Sequence, residues 1–217
     1  MTIKAVISDM DGCLIDAREW HYETLNRSLA LFGYNINRHE HLTSYDGLPT
    51  STKLKMLTAE RELPEALHSF INEMKQAYTA EAVILNCRPT FHIQYALSIL
   101  KSRYKYKLAV ASNSIRATVN LMMDKAHLSQ YLDLQLSNED VAKAKPAPDI
   151  YIKAMEMLGV SPEETLIIED NAHGIAAAKA SGAHVLVVSD PSGVNINNIL
   201  NRISEIEGRD MAKVANQ

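Results

Sequence analysis

Residues 4–9 (KAVISD) run apolar and β-branched with no polar alternation, and turn-prone Gly12 follows. This pattern predicts a strand buried on both faces. From Arg18 the period changes. Trp20, Leu25, Leu29 and Phe32 recur at helical spacing, and Gly33 is a natural stop. The stretch YDGLPTST is rich in turn residues and predicts a loop, with helix-favouring KLKMLTAERE behind it. Pro64 stands where a helix begins, and EALHSFINEMKQAYTAEAVIL continues it. Residues 17–87 therefore predict an all-helical block.

The remainder is patterned differently. Residues 106–112 (YKLAVAS), 165–170 (TLIIED) and 184–190 (HVLVVSD) predict buried strands, and 131–137 (YLDLQLS) a weaker one. Helical segments at 91–104, 115–127, 146–158 and 174–180 separate them. Ser161, Pro162 and Glu164 form a capping-box pattern before the strand at 165, and Gly182 closes the helix before the next. Strand–helix alternation predicts an α/β fold, a doubly wound (Rossmann-like) parallel sheet with right-handed crossovers. The helical block interrupts it after its first strand. Residues 1–15 and 89–217 are expected to form the core domain, and 16–88 an inserted all-helical cap domain.

Composition narrows the class. A chain of 217 residues, 47% hydrophobic, can bury a sizeable core. Its net charge of -4 carries no basic excess for nucleic acid or an anionic membrane. There is no signal-like leader and no apolar run of spanning length. Cys13 and Cys87 form neither a disulfide framework nor a metal pattern, which suits a reducing compartment. A cytoplasmic protein, monomeric or weakly dimeric, is expected.

In an open parallel sheet, chemistry collects beyond the carboxyl ends of the strands. The first strand delivers Asp9 and Asp11 there, the second Ser112 and Asn113, and the strand at 165 delivers Glu169 and Asp170. Lys145 stands before Pro146 at a helix entry. Carboxylates, a hydroxyl and an ammonium at one edge make a phosphate site with a divalent cation. Clustered carboxylates are hard ligands for Mg²⁺ and become tolerable when a cation neutralises them. Ser112, the amides after it and Lys145 suit phosphoryl oxygens.

Phosphate monoesters hydrolyse so slowly that enzymes supply accelerations up to roughly 10²¹-fold. A carboxylate nucleophile divides the reaction through an aspartyl-phosphate. A second carboxyl must protonate the leaving oxygen and later take a proton from water. A nearby like charge raises one member of such a pair. Asp9, still on the strand, is assigned as nucleophile, and Asp11, on the loop beyond it, as general acid/base.

DMDGCLID resembles the DxDGTLxD motif of the haloacid dehalogenase superfamily. VASNS, KAKPAPDIY and IIEDNAHGIAAAKASGA resemble its second, third and fourth motifs in order and spacing. The resemblance points to the subgroup of β-phosphoglucomutase and small sugar-phosphate phosphatases. It implies that Asp9 and Asp11 are nucleophile and acid/base, and that Ser112 and Lys145 hold the phosphoryl group. It also implies that Glu169 and Asp170 complete the Mg²⁺ site with Asp9 and the backbone carbonyl of Asp11, and that His21 faces the site from the cap. Cys13 stands where the family usually has Thr, and NCRPTFHIQYA lacks the usual Pro-Gly. Thr50 occupies the place of the arginine with which the mutases grip a second phosphate, and the nearest cation is Lys53.

Singly, each motif has a structural reading. Ser112 and Asn113 could cap the helix near Ile115, Glu169-Asp170 could be a polar strand end, and His21 a surface histidine. Lys145 at a helix start opposes the helix dipole, which favours function. Their coincidence at strand ends predicts a Mg²⁺-dependent phosphatase of a small phosphorylated metabolite, sugar phosphates among them. Thr50 and Lys53 are the expected cap contacts to that substrate. A phosphomutase is the second reading and a phosphate-accepting signalling module a remote third.

Overall fold

Val6 and Ile7 are neighbours in sequence but pack into different cores, because successive side chains of a strand point to opposite faces. The computed structural model describes residues 2–208. Its sheet contains β1 (Ala5–Ser8), β2 (Lys107–Ala111), β3 (Leu134–Leu136), β4 (Thr165–Glu169) and β5 (His184–Val187). All pairings are parallel, in the order β3-β2-β1-β4-β5. Val6, Leu108, Val110, Leu166 and Ile168 face one core, and Ala5, Ile7, Ala109, Ala111 and Ile167 the other. Both faces are covered, so the central strands read as continuous apolar runs.

Nine helices are present among the described residues. Four follow β1: α1 (Arg18–Ala30), the single turn α2 (Arg38–Glu40), α3 (Thr50–Arg61) and α4 (His68–Asn86). A π-helical turn, His41–Tyr45, continues α2. The other five are α5 (Phe91–Ser102), α6 (Arg116–Lys125), α7 (Asp149–Leu158), α8 (Ala172–Ala180) and α9 (Ile196–Glu207). Helices α5, α6 and α9 cover one sheet face, while α7 and α8 cover the other. The α/β fold expected from strand–helix alternation is the fold observed.

The helices after β1 carry a hydrophobic core of their own. Leu25, Leu29, Ile36, Tyr45, Leu54, Leu57, Leu63 and Ile71 bury one another without contribution from the sheet. Thr24 and Thr79 hydroxyls meet at 3.1 Å across the α1–α4 contact, a buried polar pair satisfied within the layer.

Several boundaries differ from the sequence expectation, each for a local reason. Helix α7 starts at Asp149, not 146, since Lys145 and Ala147 each precede a proline and are biased away from helical backbone. Helix α8 starts earlier, at Ala172, because the Asn171 side chain accepts from Gly174 N at 3.0 Å and caps it. Helix α3 begins at Thr50, taking the end of the expected loop into its first turn. Strand β1 ends at Ser8, although Asp9 N still donates to Ile168 O at 2.9 Å. Helix α9 is an element that the patterning above does not single out. Ser161, Pro162 and Glu164 do form a capping box, on a 3-10 turn.

The strand order reverses beside β1, so a crevice opens beyond the carboxyl ends of β1, β2 and β4. The helical layer faces that crevice. No helix among the described residues is long and apolar enough to cross a membrane.

Candidate active site

Asp9 leaves β1 beside the end of β4, and the 3-10 and loop residues before α7 bring Lys145 to it. Lys145 Nζ lies 2.6 Å from Asp9 Oδ1 and 2.7 Å from Glu169 Oε1, and it donates to Ala111 O at 2.9 Å. All three side chains are buried. The Tyr151 hydroxyl donates to the same Glu169 oxygen, and its ring centroid is 4.7 Å from the ammonium. Glu169 has this room because residue 174 is glycine. A Cβ there would fall 1.9 Å from Glu169 Oε1.

Charge balance explains the arrangement. Burial pulls the Lys145 ammonium down, but Asp9 and Glu169 outweigh it and hold its pKa above the ordinary value. Burial pushes the Asp9 carboxyl well up. Lys145 opposes that push, while Glu169, Asp170 and Asp11 add to it. One ammonium is therefore too little positive charge for the carboxylates gathered here.

A second positive charge is what the neighbouring donors fit. Carboxylate oxygens of Asp9 and Asp170 and the sulfur of Cys13 lie within 4.8 Å of one another. Burial, reinforced by Asp9, pushes the Cys13 thiol well up, so it stays protonated and is no thiolate ligand. Two hard carboxylates remain, a donor set for Mg²⁺ rather than for a soft metal. Asp170 also takes a fork of hydrogen bonds from Arg18, whose Nε is 3.0 Å from Oδ2. Gly12, with φ of +94°, makes that approach possible, since a Cβ there would lie 2.0 Å from Asp170 Oδ2.

Asp11 faces the other way, toward the helical layer. Its Oδ2 accepts from the Ser114 hydroxyl at 2.9 Å. Its Oδ1 is 3.0 Å from His21 Nε2, a charge contact whose direction is poor for a hydrogen bond. Like-charge repulsion from Asp9 is expected to raise Asp11, and the structure differs. Burial does push it up, but His21, Ser114 and Lys75 outweigh burial and lower its pKa. Burial also lowers His21. The resting pair is therefore a carboxylate beside a neutral imidazole.

Ser112 and Asn113 do not cap α6, whose N-cap Ile115 has no side-chain bond. Ser112 Oγ accepts from Ser114 N at 3.0 Å, a local turn that presents Ser112 to the crevice. The Asn113 amide ties two loops together, donating to Gly47 O at 2.8 Å and to Lys145 O at 3.2 Å. Its Oδ1 accepts from Lys145 N at 3.0 Å. Asn113 thus spends its side chain on the join between helical layer and sheet.

The crevice has a volume of about 140 Å³ and is lined by Asp9, Asp11, His21, Thr50, Lys53, Ser112, Asn113 and Lys145. Glu169 lies beneath it under Lys145, so its carboxylate is committed there rather than to the Asp9–Asp170 group. Residues not anticipated from sequence also reach the site: Arg18, Asp46, Lys75 and Ser114 line it and Tyr151 supports it. Lys75 had a readable signal. Ile71, Lys75, Thr79 and Val83 form the buried stripe of α4, and a lysine in such a stripe calls for a reason. Lys53 and Lys75 are 6% and 7% exposed. Burial lowers their ammonium pKa values to about 8 and about 7.

The chain is similar to known proteins. Residues 6–188 match the family model described as haloacid dehalogenase-like hydrolase. A phosphorylated carbohydrates phosphatase from Thermotoga maritima is 30% identical over 185 residues, covering 83% of this chain and 82% of that protein. A phosphoglycolate phosphatase from Aquifex aeolicus is 28% identical over 83% of this chain and 82% of that protein. The crystal structure of a β-phosphoglucomutase from Clostridium difficile shares the fold, with a TM-score of 0.83 and 21% identity over 96% of this chain and all of that one.

Two outcomes are expected from this packing. Gly174→Ala drives a methyl into the Glu169 carboxylate, strands a buried charge and costs about 3–5 kcal/mol, measured by denaturant unfolding. Lys53→Met does the opposite. Its ammonium falls from the ordinary 10.5 to about 8 on folding, so the folded chain holds that proton less tightly and stability rises with pH across that window. Removing the charge therefore stabilises the protein at pH 7, by up to roughly 3 kcal/mol. Calorimetric midpoints should increase by several degrees, and a lower midpoint would contradict the analysis.

Proposed function

The chain belongs to the haloacid dehalogenase-like hydrolases, and on that premise we propose that it is a Mg²⁺-dependent phosphatase of small phosphorylated metabolites acting through an aspartyl-phosphate. The observation that carries the reading is the buried Asp9–Lys145–Glu169 contact at the strand ends, with Asp11 two residues on and facing the cap. Sugar phosphates are the substrate class favoured by the likeness to the Thermotoga phosphatase. The reducing cytoplasm is the proposed setting and a monomer or weak dimer the proposed state.

Bound Mg²⁺, held by Asp9 and Asp170 with the Asp11 carbonyl, would draw charge off the phosphoryl oxygens and restore Asp9 to its carboxylate form. In the first step an Asp9 oxygen bonds to phosphorus as the bond to the leaving oxygen breaks. Lys145 and Ser112 hold the equatorial oxygens, and Asp11 gives its proton to the leaving alkoxide. In the second step Asp11 takes a proton from water, the water oxygen bonds to phosphorus, and the Asp9–phosphorus bond breaks. Asp11 rests ionised, so it acquires its proton as the dianionic ester enters. His21, with Nε2 3.0 Å from Asp11 and Nδ1 3.2 Å from the Lys75 ammonium, is the neighbour placed to relay it, taking a proton at Nδ1 as it gives one from Nε2. Glu169 keeps Lys145 aimed at Asp9 and is a positioning group.

Residues 16–88 act as a cap on this reading, hinged near Asp16 and at 87–89. The Asn113–Gly47 bond joins cap loop to core and describes the closed form. Closure excludes water and puts Thr50 and Lys53 against the substrate. The mutase reading stands second, because Thr50 offers no cation with which to hold a bisphosphate.

Phosphate release from a panel of phosphorylated metabolites tests the proposal. Release should require Mg²⁺, stop on chelation and vanish in Asp9→Asn. Asp11→Asn should lower kcat about 10²–10⁴-fold with little change in substrate affinity. Wild-type turnover in either variant would remove the assignments.

A further inference from the structure

We infer that Arg18 competes with the divalent cation for Asp170 and so limits the affinity of the metal site. This rests on the part of the phosphatase reading that gives Asp9 and Asp170 to Mg²⁺.

Arg18 stands where a helix disfavours a cation. It is the first residue of α1, where positive charge opposes the helix dipole, and it follows Ala17, which has no side chain to cap the turn. What holds it there lies at the sheet end. Its Nε and Nη2 both donate to Asp170 Oδ2, and Nη2 also donates to Ser189 O at 2.9 Å. Gly12 leaves the passage open, since a Cβ there would lie 2.7 Å from Arg18 Nε.

Two cations cannot draw fully on one carboxylate. A metal shared between Asp9 and Asp170 meets an Asp170 whose charge the guanidinium already offsets. The Asp170 side chain is 1% exposed, so water screens that conflict little. An orienting role would have the opposite sign, because a partner that holds a ligand in place usually raises metal affinity. Other groups hold Asp170 in place. Its backbone N donates to Glu169 Oε2 at 3.1 Å, and Asn171 Nδ2 donates to its Oδ1 at 3.3 Å. Asn171 is itself fixed as the cap of α8. Repulsion therefore outweighs orientation. Arg18 is also the cation able to yield. Its side chain is 33% exposed and lines the crevice, whereas Lys145 is buried on three acceptors. By linkage, whatever the metal takes from the Arg18–Asp170 contact, that contact takes from metal affinity.

The probe is Mn²⁺, an oxygen-preferring stand-in for Mg²⁺, with the free ion counted by electron paramagnetic resonance. Wild type, Arg18→Gln and Arg18→Lys are compared, each checked for fold by circular dichroism. Arg18→Gln should bind Mn²⁺ about tenfold or more tightly than wild type, since like charges in close contact are strongly unfavourable. Arg18→Lys keeps the charge but not the forked contact and should gain by a smaller factor. If the Gln variant does not fold, the Lys variant decides alone. Thermal midpoints give a second readout. Under chelation Arg18→Gln should melt below wild type, and saturating Mg²⁺ should close the gap, because tighter binding stabilises the folded form more. Equal or weaker Mn²⁺ binding in the variants, or a melting gap that Mg²⁺ leaves unchanged, overturns the inference and leaves the phosphatase reading standing. No Mn²⁺ binding by any of the three also overturns it, and with no Mg²⁺-dependent phosphate release it removes both.

Discussion

A single ammonium between two buried carboxylates organises this molecule. Lys145 holds Asp9 at one sheet end and Glu169 at the next strand's end, at distances below 3 Å. The rest of the site follows from the need to house more negative charge than Lys145 can offset. Tyr151 takes part of the burden on Glu169, and Arg18 takes part of that on Asp170. Asp11 is turned outward to Ser114 and His21. Glycines at 12 and 174 are required because carboxylate oxygens occupy the space their side chains would fill.

The helical layer presents the reverse problem. Its wall buries two ammonium groups where the core wall gathers carboxylates. The two surfaces meet at Asp11, which feels both, and they are joined by Asn113 bridging to the backbone of Gly47. A crevice whose walls carry opposite unmet charges suits an anionic substrate bridged to the core by a cation.

Much of this was legible along the chain. Buried apolar runs marked the central strands, and the residues following them named Asp9, Asp11 and Ser112, because a parallel sheet places all such ends on one edge, while Lys145 stood out as a lysine at a helix entry. What pattern could not supply was direction. Glu169 and Asp170 are adjacent, and period two sends the first under Lys145 and the second toward Asp9 and Arg18. Asn113 reads as a phosphate contact in sequence and is a clamp in space. The pKa of Asp11 depends on His21 and Lys75, whose closeness is a tertiary fact. Lys75 alone was within reach of a stricter reading of the α4 stripe.

The central claim is that Asp9 carries the phosphoryl group between two proton transfers served by Asp11. Rapid quench of the Mg²⁺-loaded enzyme with its best ester, followed by peptide mass analysis, addresses it directly. The account predicts an acid-stable, base-labile phosphate on the peptide containing Asp9, longer-lived in Asp11→Asn. Turnover with no phosphorylated Asp9 at any time, in either protein, would contradict it.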